Sequence, residues 1–195
     1  MRYLNILLAI VFTGLILTGG CITAPESSAD ITWIGTPPDD RKVIESKMAT
    51  MISPYQGAVY ENVTASASKE NDRINIHVTG SISSSQYPDL YDFTYHNKEL
   101  VQVGYLLEAV PDSIRNEAIN VALRNEDVKA ALGSGMTGIP SVKRILPETA
   151  ANYYVPKTLI SVTWIQQPVS ALVDMDTRSV VRVWNGEAQA TAYLH

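Results

Sequence analysis

Cysteine and histidine are scarce in this chain, and each scarcity excludes a kind of site or a kind of stabilisation. The 195 residues include one cysteine, three histidines and two phenylalanines. A single cysteine excludes a disulfide within the chain, so buried apolar side chains must stabilise the fold. The histidines lack metal-ligand spacing and no second cysteine accompanies them. The sequence therefore predicts neither a zinc site nor another cofactor.

An excess of one charge is also missing. The formal net charge is -5, and the lysines and arginines are scattered along the chain instead of clustered. Nucleic-acid binding depends on basic patches, so we expect no nucleic-acid partner. The hydrophobic fraction of 46% is that of a globular protein, which excludes a disordered chain.

The apolar run near the N-terminus is too short for a typical membrane span. Arg2 precedes it, it extends from Leu4 to Leu17, and the small residues Thr18, Gly19 and Gly20 follow. A spanning helix needs about 20 apolar residues. A positive start, an apolar centre and a small-residue end are the layout of a signal peptide, here residues 1–20. An uncleaved anchor helix remains the alternative.

The only cysteine, Cys21, follows that run directly. Residues 1–22 resemble the start of bacterial and archaeal lipoproteins, except that the usual leucine lies one position further back, as Leu17, with Thr18 in its place. The resemblance implies a diacylglyceryl thioether on Cys21 and a position on the extracytoplasmic face of the membrane. The alternative is a cysteine that merely lies near the cleavage site. On an exported chain Asn62, in Asn-Val-Thr, is also a possible glycosylation site.

The exported part divides by composition into four segments. Residues 21–38 are rich in proline and serine and predict a lipid-anchored tether, although the period-two spacing of Ile31, Trp33 and Ile34 also fits an edge strand. Residues 39–110 predict an N-terminal α+β unit, residues 111–186 a second α+β unit, and residues 187–195 a tail. We therefore expect an α+β fold, with amphipathic helices packed on antiparallel β-sheet, and two similar helix-plus-sheet units are one form that it can take.

Particular elements follow from periodicity and turn residues. Asp39 or Asp40 caps a helix with apolar residues at helical spacing up to Ile52, and Asn125 caps a short helix after a longer one that begins at Pro111-Asp112. Strands are expected at residues 57–67 and 74–82, as a hairpin from Leu90 to Leu107 with its turn at 96–99, and near residues 140–146, 152–165, 169–175 and 179–185.

The last of these strands carry a second resemblance. The stretch Ala171–Val181 contains Asp174, Asp176 and Thr177 in a hairpin turn, and with the preceding helix it is similar to a PepSY-like domain over residues 112–186. Asp174 and Thr177 match the family pattern, whereas Arg178 stands where the family has glycine. The resemblance implies an exported, non-catalytic module that restrains peptidases or acts in envelope assembly.

Three other patterns resemble binding sites, but each also has a structural explanation. Gly133–Gly138 has G-x-G-x-x-G spacing but follows a helix and precedes a strand, which is the wrong context for a dinucleotide site. Asp174 and Asp176 have too few further ligands for calcium. Tyr91, Phe93 and Tyr95 alternate on one strand face, as core residues do, but would form an aromatic binding platform if that face is open.

The sequence thus predicts a membrane-anchored, extracytoplasmic module that binds or regulates an envelope protein or a peptidase. Two alternatives stay open. An exported hydrolase would use a carboxylate such as Asp174 in a pocket shared with His77 or His96. A structural envelope protein would associate with itself.

Overall fold

The computed structural model describes residues 30–133 and 138–186, which form an α+β fold with two sheets. This confirms the predicted fold class. The elements in chain order are β1 (Ile31–Ile34), α1 (Arg41–Met48), β2 (Asn62–Glu70), β3 (Arg73–Ser81), β4 (Asp89–His96), β5 (Glu99–Leu107), α2 (Asp112–Arg124), α3 (Glu126–Leu132), β6 (Ser141–Ile145), α4 (Pro147–Ala150), β7 (Leu159–Trp164), β8 (Val169–Asp174) and β9 (Ser179–Asn185).

The first sheet has the strand order β1-β2-β3-β4-β5, and α1 packs on one of its faces. Alternate residues of the strands point to that face, as period-two patterning requires. Ile44 and Met48 of α1 are fully buried there against Val78 of β3 and Phe93 of β4. The opposite face carries serine, threonine, asparagine and charged side chains, which explains why these strands alternate in sequence.

Part of the segment predicted as a tether belongs to this sheet. Ile31–Ile34 form β1, which pairs in parallel with β2 at the sheet edge, and Trp33 Nε1 donates a hydrogen bond to Glu45 Oε1 at 2.7 Å. The helix α1 provides the crossover that a parallel pair needs. Asp40 does occupy the N-cap position of α1, but its carboxylate accepts from Tyr95 Oη at 2.8 Å and makes no capping bond.

The second sheet has the order β6-β7-β8-β9 and is covered more fully. Helices α2 and α3 pack on one face, and the short segment of α4 and the 3₁₀ turn Ala151–Tyr153 packs on the other. The strand predicted at 152–165 therefore begins only at Leu159, because Pro147 initiates helical turns before it. Every residue of β8 is buried, so this strand shows no alternation.

A buried ion pair joins the two halves of the protein. The first half is the first sheet with α1, and the second half is the second sheet with α2, α3 and α4. Arg144 of β6 donates to Asp89 Oδ2, at the start of β4, over 3.0 Å, and both side chains are at most 5% exposed. The same guanidinium donates to the backbone carbonyls of Ser53 and Pro54, and Asp89 accepts from Tyr60 Oη at 2.6 Å and from the amide of Ala109 at 2.7 Å. The junction is therefore polar and almost completely satisfied.

Substitution of Arg144 by methionine should destabilise the protein strongly. The change deletes the three hydrogen bonds of the guanidinium and leaves Asp89 buried without its counter-charge. Removing one member of a buried pair typically costs about 3–5 kcal/mol. Urea unfolding measures the loss, and Arg182→Met, at an exposed position, is the control. A loss below about 1 kcal/mol for Arg144→Met would show that the pair does not hold the halves together.

Candidate functional site

The structure places the residues singled out from the sequence in very different environments. Cys21 lies outside the described residues, and so does most of Gly133–Gly138, of which only the two outer glycines are described. Asn62 is the exposed first residue of β2, where a glycan would meet no obstacle from burial. Among the described residues, no helix has the length and apolarity needed to span a membrane.

The aromatic platform considered for Tyr91, Phe93 and Tyr95 is not formed. Their side chains are 2%, 1% and 5% exposed. Helix α1 covers the face to which they point, so the three rings belong to the core of the first half. Tyr91 Oη also donates to the carbonyl of Ser53 at 3.1 Å, which uses its polar end internally. Binding through these rings is therefore excluded, and the alternative of a core row is correct.

The hairpin turn predicted at Asp174, Asp176 and Thr177 joins β8 and β9. Asp174 Oδ1 accepts from the amide of Asp176 at 3.0 Å and from the amide of Thr177 at 3.4 Å, and its other oxygen pairs with Lys157. Arg178 adopts a φ of 51°, the left-handed conformation that glycine usually provides. A lysine therefore occupies the carboxylate that a calcium ion would need.

The hydrolase arrangement built on Asp174 is not formed either. Asp174 pairs with Lys157 in the second sheet, whereas both candidate histidines lie in the first sheet. His77 Nδ1 lies 2.8 Å from Asp92 Oδ1, and His96 Nδ1 lies 3.1 Å from the carbonyl of Asp72. Residues 30–133 and 138–186 also contain no group of three or more histidine, cysteine or acidic side chains able to hold a metal ion.

A cleft of about 580 Å³ lies above the ion pair between the halves. Arg144 and Tyr55 line it, together with Glu148, Lys157 and Asp176. Lys157 already binds two carboxylates, and the outer nitrogens of Arg144 bind Asp89 and two carbonyls. Burial and the charge of Asp176 raise the pKa of the Tyr55 hydroxyl, so it stays protonated. Lys157 and Arg144, the two cations that line the cleft, are thus already paired with carboxylates.

A second concave surface, of about 570 Å³, lies between α3 and β9. We call it the edge groove, and it is lined by Asn125, Asp127, Ala130 and Ala131 on the helix side and by Val180–Val183 and Asn185 on the strand side. The short alanine side chains of α3 leave space beside the strand. Because β9 is the last strand of its sheet, one row of its backbone groups faces this space, and no strand among residues 30–133 and 138–186 pairs with that row.

The direction of those backbone groups follows from one hydrogen bond. The amide of Gly186 donates to the carbonyl of Pro168 at 2.9 Å, across β8 and β9. Since antiparallel backbone groups alternate in direction, those of Trp184 point toward β8 and those of Val183 and Asn185 point toward the free edge. The edge groove therefore presents both donors and acceptors.

Sequence reasoning missed the residues at the junction. Arg144 lies two positions after Val142 on β6, so the two share one strand face, and Val142 is completely buried. The alternation of the strand therefore places Arg144 on the buried face, and this pattern could have predicted a buried arginine with an acidic partner. It could not name the partner, because Asp89 is 55 positions away in the chain.

The chain has no recognisable relative in any of three comparisons with known proteins, since no family model, curated protein or solved structure matches it.

The hairpin carboxylate should make stability depend on pH. Burial raises the pKa of Asp174, but Lys157 and the turn amides outweigh it and hold the pKa below its ordinary 3.8. The folded state thus favours the charged form, so this contribution is present above about pH 3.8 and is lost as the pH falls through the folded pKa. Asp174→Asn should lower the free energy of unfolding most near neutral pH.

Urea unfolding between pH 7 and pH 3 measures this difference between the native protein and Asp174→Asn, with Asp39→Asn at an exposed position as control. The difference should shrink below about pH 3.8. A difference that grows on acidification would contradict the assignment of Asp174 as a stabilising carboxylate.

Proposed function

We propose that this protein is a lipid-anchored, extracytoplasmic binding module that captures an extended segment of an envelope protein or a peptidase along β9. The observation that carries the proposal is the edge groove, where an unpaired strand edge faces open space beside α3. Cys21 supplies the anchor and the chain before β1 links the anchor to the body.

Strand addition fits this surface in three respects. The backbone groups of Val183 and Asn185 point into the groove and match the spacing of an antiparallel or parallel partner. Val181 is 37% exposed and offers apolar contact. Asp127, in the first turn of α3, places a negative charge on the helix wall, so a partner segment with a basic side chain is accommodated.

The other sheet edges are less suited to this role. β1 has four residues and ends the first sheet as a short edge, which is a common way to limit strand pairing. β5, at the other edge, lies close to β6 and to α4, where Tyr105 Oη is 2.7 Å from Thr149 Oγ1. β9 has seven residues and faces the edge groove, so it is the edge to which we assign strand addition.

Removal of one outward amide should abolish capture. In Val183→Pro the ladder to β8 is kept, because the lost N–H points away from it, whereas a partner strand loses a donor and meets the proline ring. Val183→Ala is the matched control, since it shortens the same side chain but keeps the amide. A photo-cross-linker at Arg182 in native membranes should label one partner in Val183→Ala and lose it in Val183→Pro. Equal labelling in both would rule out strand addition at β9.

Loss of the thiol should release the protein from the membrane. Two acyl chains give stable anchoring, whereas a chain without them has no comparable attachment. Cys21→Ser should therefore move the protein from the membrane fraction to the soluble fraction in a flotation gradient. A Cys21→Ser protein that still floats with the membranes would indicate an uncleaved N-terminal helix instead of a lipid.

A further inference from the structure

The solvent-facing side of the first sheet contains a depression of about 440 Å³ that the binding function does not use. Its lining is unusual for an open sheet face because it combines small polar side chains with a histidine and a carboxylate. The residues are Ser66, Ala67, Ser68, Asn75, Ile76, His77, Asp92, Phe93, Thr94, Val103 and Gly104. Pockets that bind small molecules typically measure about 300–1,000 Å³.

The strand register places three of these residues in one row across the sheet. Ser66 of β2 is directly opposite His77 of β3, and His77 is directly opposite Asp92 of β4. Directly opposed residues share a face, with their Cβ atoms about 4.5–5.5 Å apart. Their neighbours Ala65, Val78 and Tyr91 point to the core, so the row itself faces solvent.

The histidine is oriented by the carboxylate. His77 Nδ1 lies 2.8 Å from Asp92 Oδ1, which holds the proton of the neutral ring on Nδ1 and leaves Nε2 as an acceptor. Among the residues that the structure describes, the Ser66 hydroxyl makes no hydrogen bond of its own, so it is free to turn toward that nitrogen. A nucleophile–base contact of this kind is often loose before a substrate binds.

Two further features complete the depression. Asn75 lies two positions before His77 on the same face, and its Oδ1 accepts from Thr94 Oγ1 at 3.4 Å, which fixes the amide group. Its Nδ2 has only a 3.5 Å contact with Glu70 and can donate to a new acceptor. Gly104 lies opposite Asp92 and carries no side chain there, and a bulge places the 59% exposed Val103 beside it as an apolar wall.

From this geometry we infer a nucleophilic serine site that cleaves small carboxylic esters. Ser66 Oγ attacks the ester carbonyl while its proton passes to His77 Nε2, and Asn75 Nδ2 donates to the developing oxyanion. The carbonyl–alkoxide bond then breaks and the leaving alkoxide takes the proton from His77. Water, deprotonated by His77, attacks the acyl carbonyl; the acyl-Ser66 bond breaks, His77 returns the proton to Ser66 Oγ, and the carboxylic acid and the free serine result.

Asp92 is a positioning residue in this scheme, since it acts through His77. The open position of the row, with the His77 and Asp92 side chains 49% and 56% exposed, gives water access for the second step. The site lies on the first sheet and the edge groove on the second, so the two functions do not depend on each other.

A fluorophosphonate probe tests the inference on the full-length protein in detergent. The Ser66 oxygen–phosphorus bond forms and fluoride leaves, so the product is a stable adduct that intact mass and peptide mapping locate. We expect labelling at Ser66, its complete loss in Ser66→Ala, and a fall in rate of about 10²-fold or more in His77→Asn. Ser83→Ala is the control, because Ser83 is an exposed serine outside the depression.

Asp92→Asn separates positioning from a structural effect. The labelling rate should fall in Asp92→Asn and be partly restored in Asp92→Glu, because a carboxylate at this position holds the His77 ring in the orientation that leaves Nε2 as the acceptor. Absence of labelling, labelling that survives Ser66→Ala, or a rate unchanged in His77→Asn would each overturn the inference. Labelling is measured on the purified protein without a partner segment, whereas capture along β9 is measured by cross-linking in membranes, so failure of this site and failure of the edge groove are distinguishable.

Discussion

The contact between Arg144 and Asp89 is the constraint on which the arrangement of the two halves depends. Burial raises the pKa of Asp89, while its hydrogen bonds to Tyr60 and Arg144 and the amide of Ala109 favour the charged form. Those donors come from the loop before β2, from β6 and from the chain after β5. One carboxylate therefore fixes three separate parts of the chain, and such a network is stable only if all its members are in place.

The two sheets differ in how they use their faces, and the difference follows from what covers them. The first sheet has α1 on one side and solvent on the other, so its strands alternate and its open face is free to carry Ser66, His77 and Asp92. The second sheet is covered on both faces, so β8 is buried at every position, and among the described residues the edge of β9 faces open space beside α3. The first half thus exposes a sheet face to possible ligands, and the second half exposes a strand edge.

The sequence was informative where local chemistry decides the structure. Asn125 caps α3 through hydrogen bonds from the amides of Asp127 and Val128, and the turn at Asn97-Lys98 lies within the turn predicted at 96–99. The sequence was less informative where the structure depends on contacts between residues that are far apart in the chain. Nothing local to Ile31–Ile34 shows that β2 pairs with it, and nothing local to Pro147–Ala150 shows that Leu159 and Leu172 need a cover on their outer face.

The row of Ser66, His77 and Asp92 illustrates this boundary most clearly. Each residue alone is an ordinary polar residue of a half-exposed strand, and the three are separated by 11 and 15 positions in the chain. Only the register brings them together, and a slip of one residue would send a side chain to the opposite face. The tight turn at Asn71-Asp72 sets the register of β2 on β3, and packing of Tyr91 and Phe93 under α1 sets that of β4. The buried aromatic residues, which bind no ligand themselves, therefore determine which polar groups meet on the other side of the sheet.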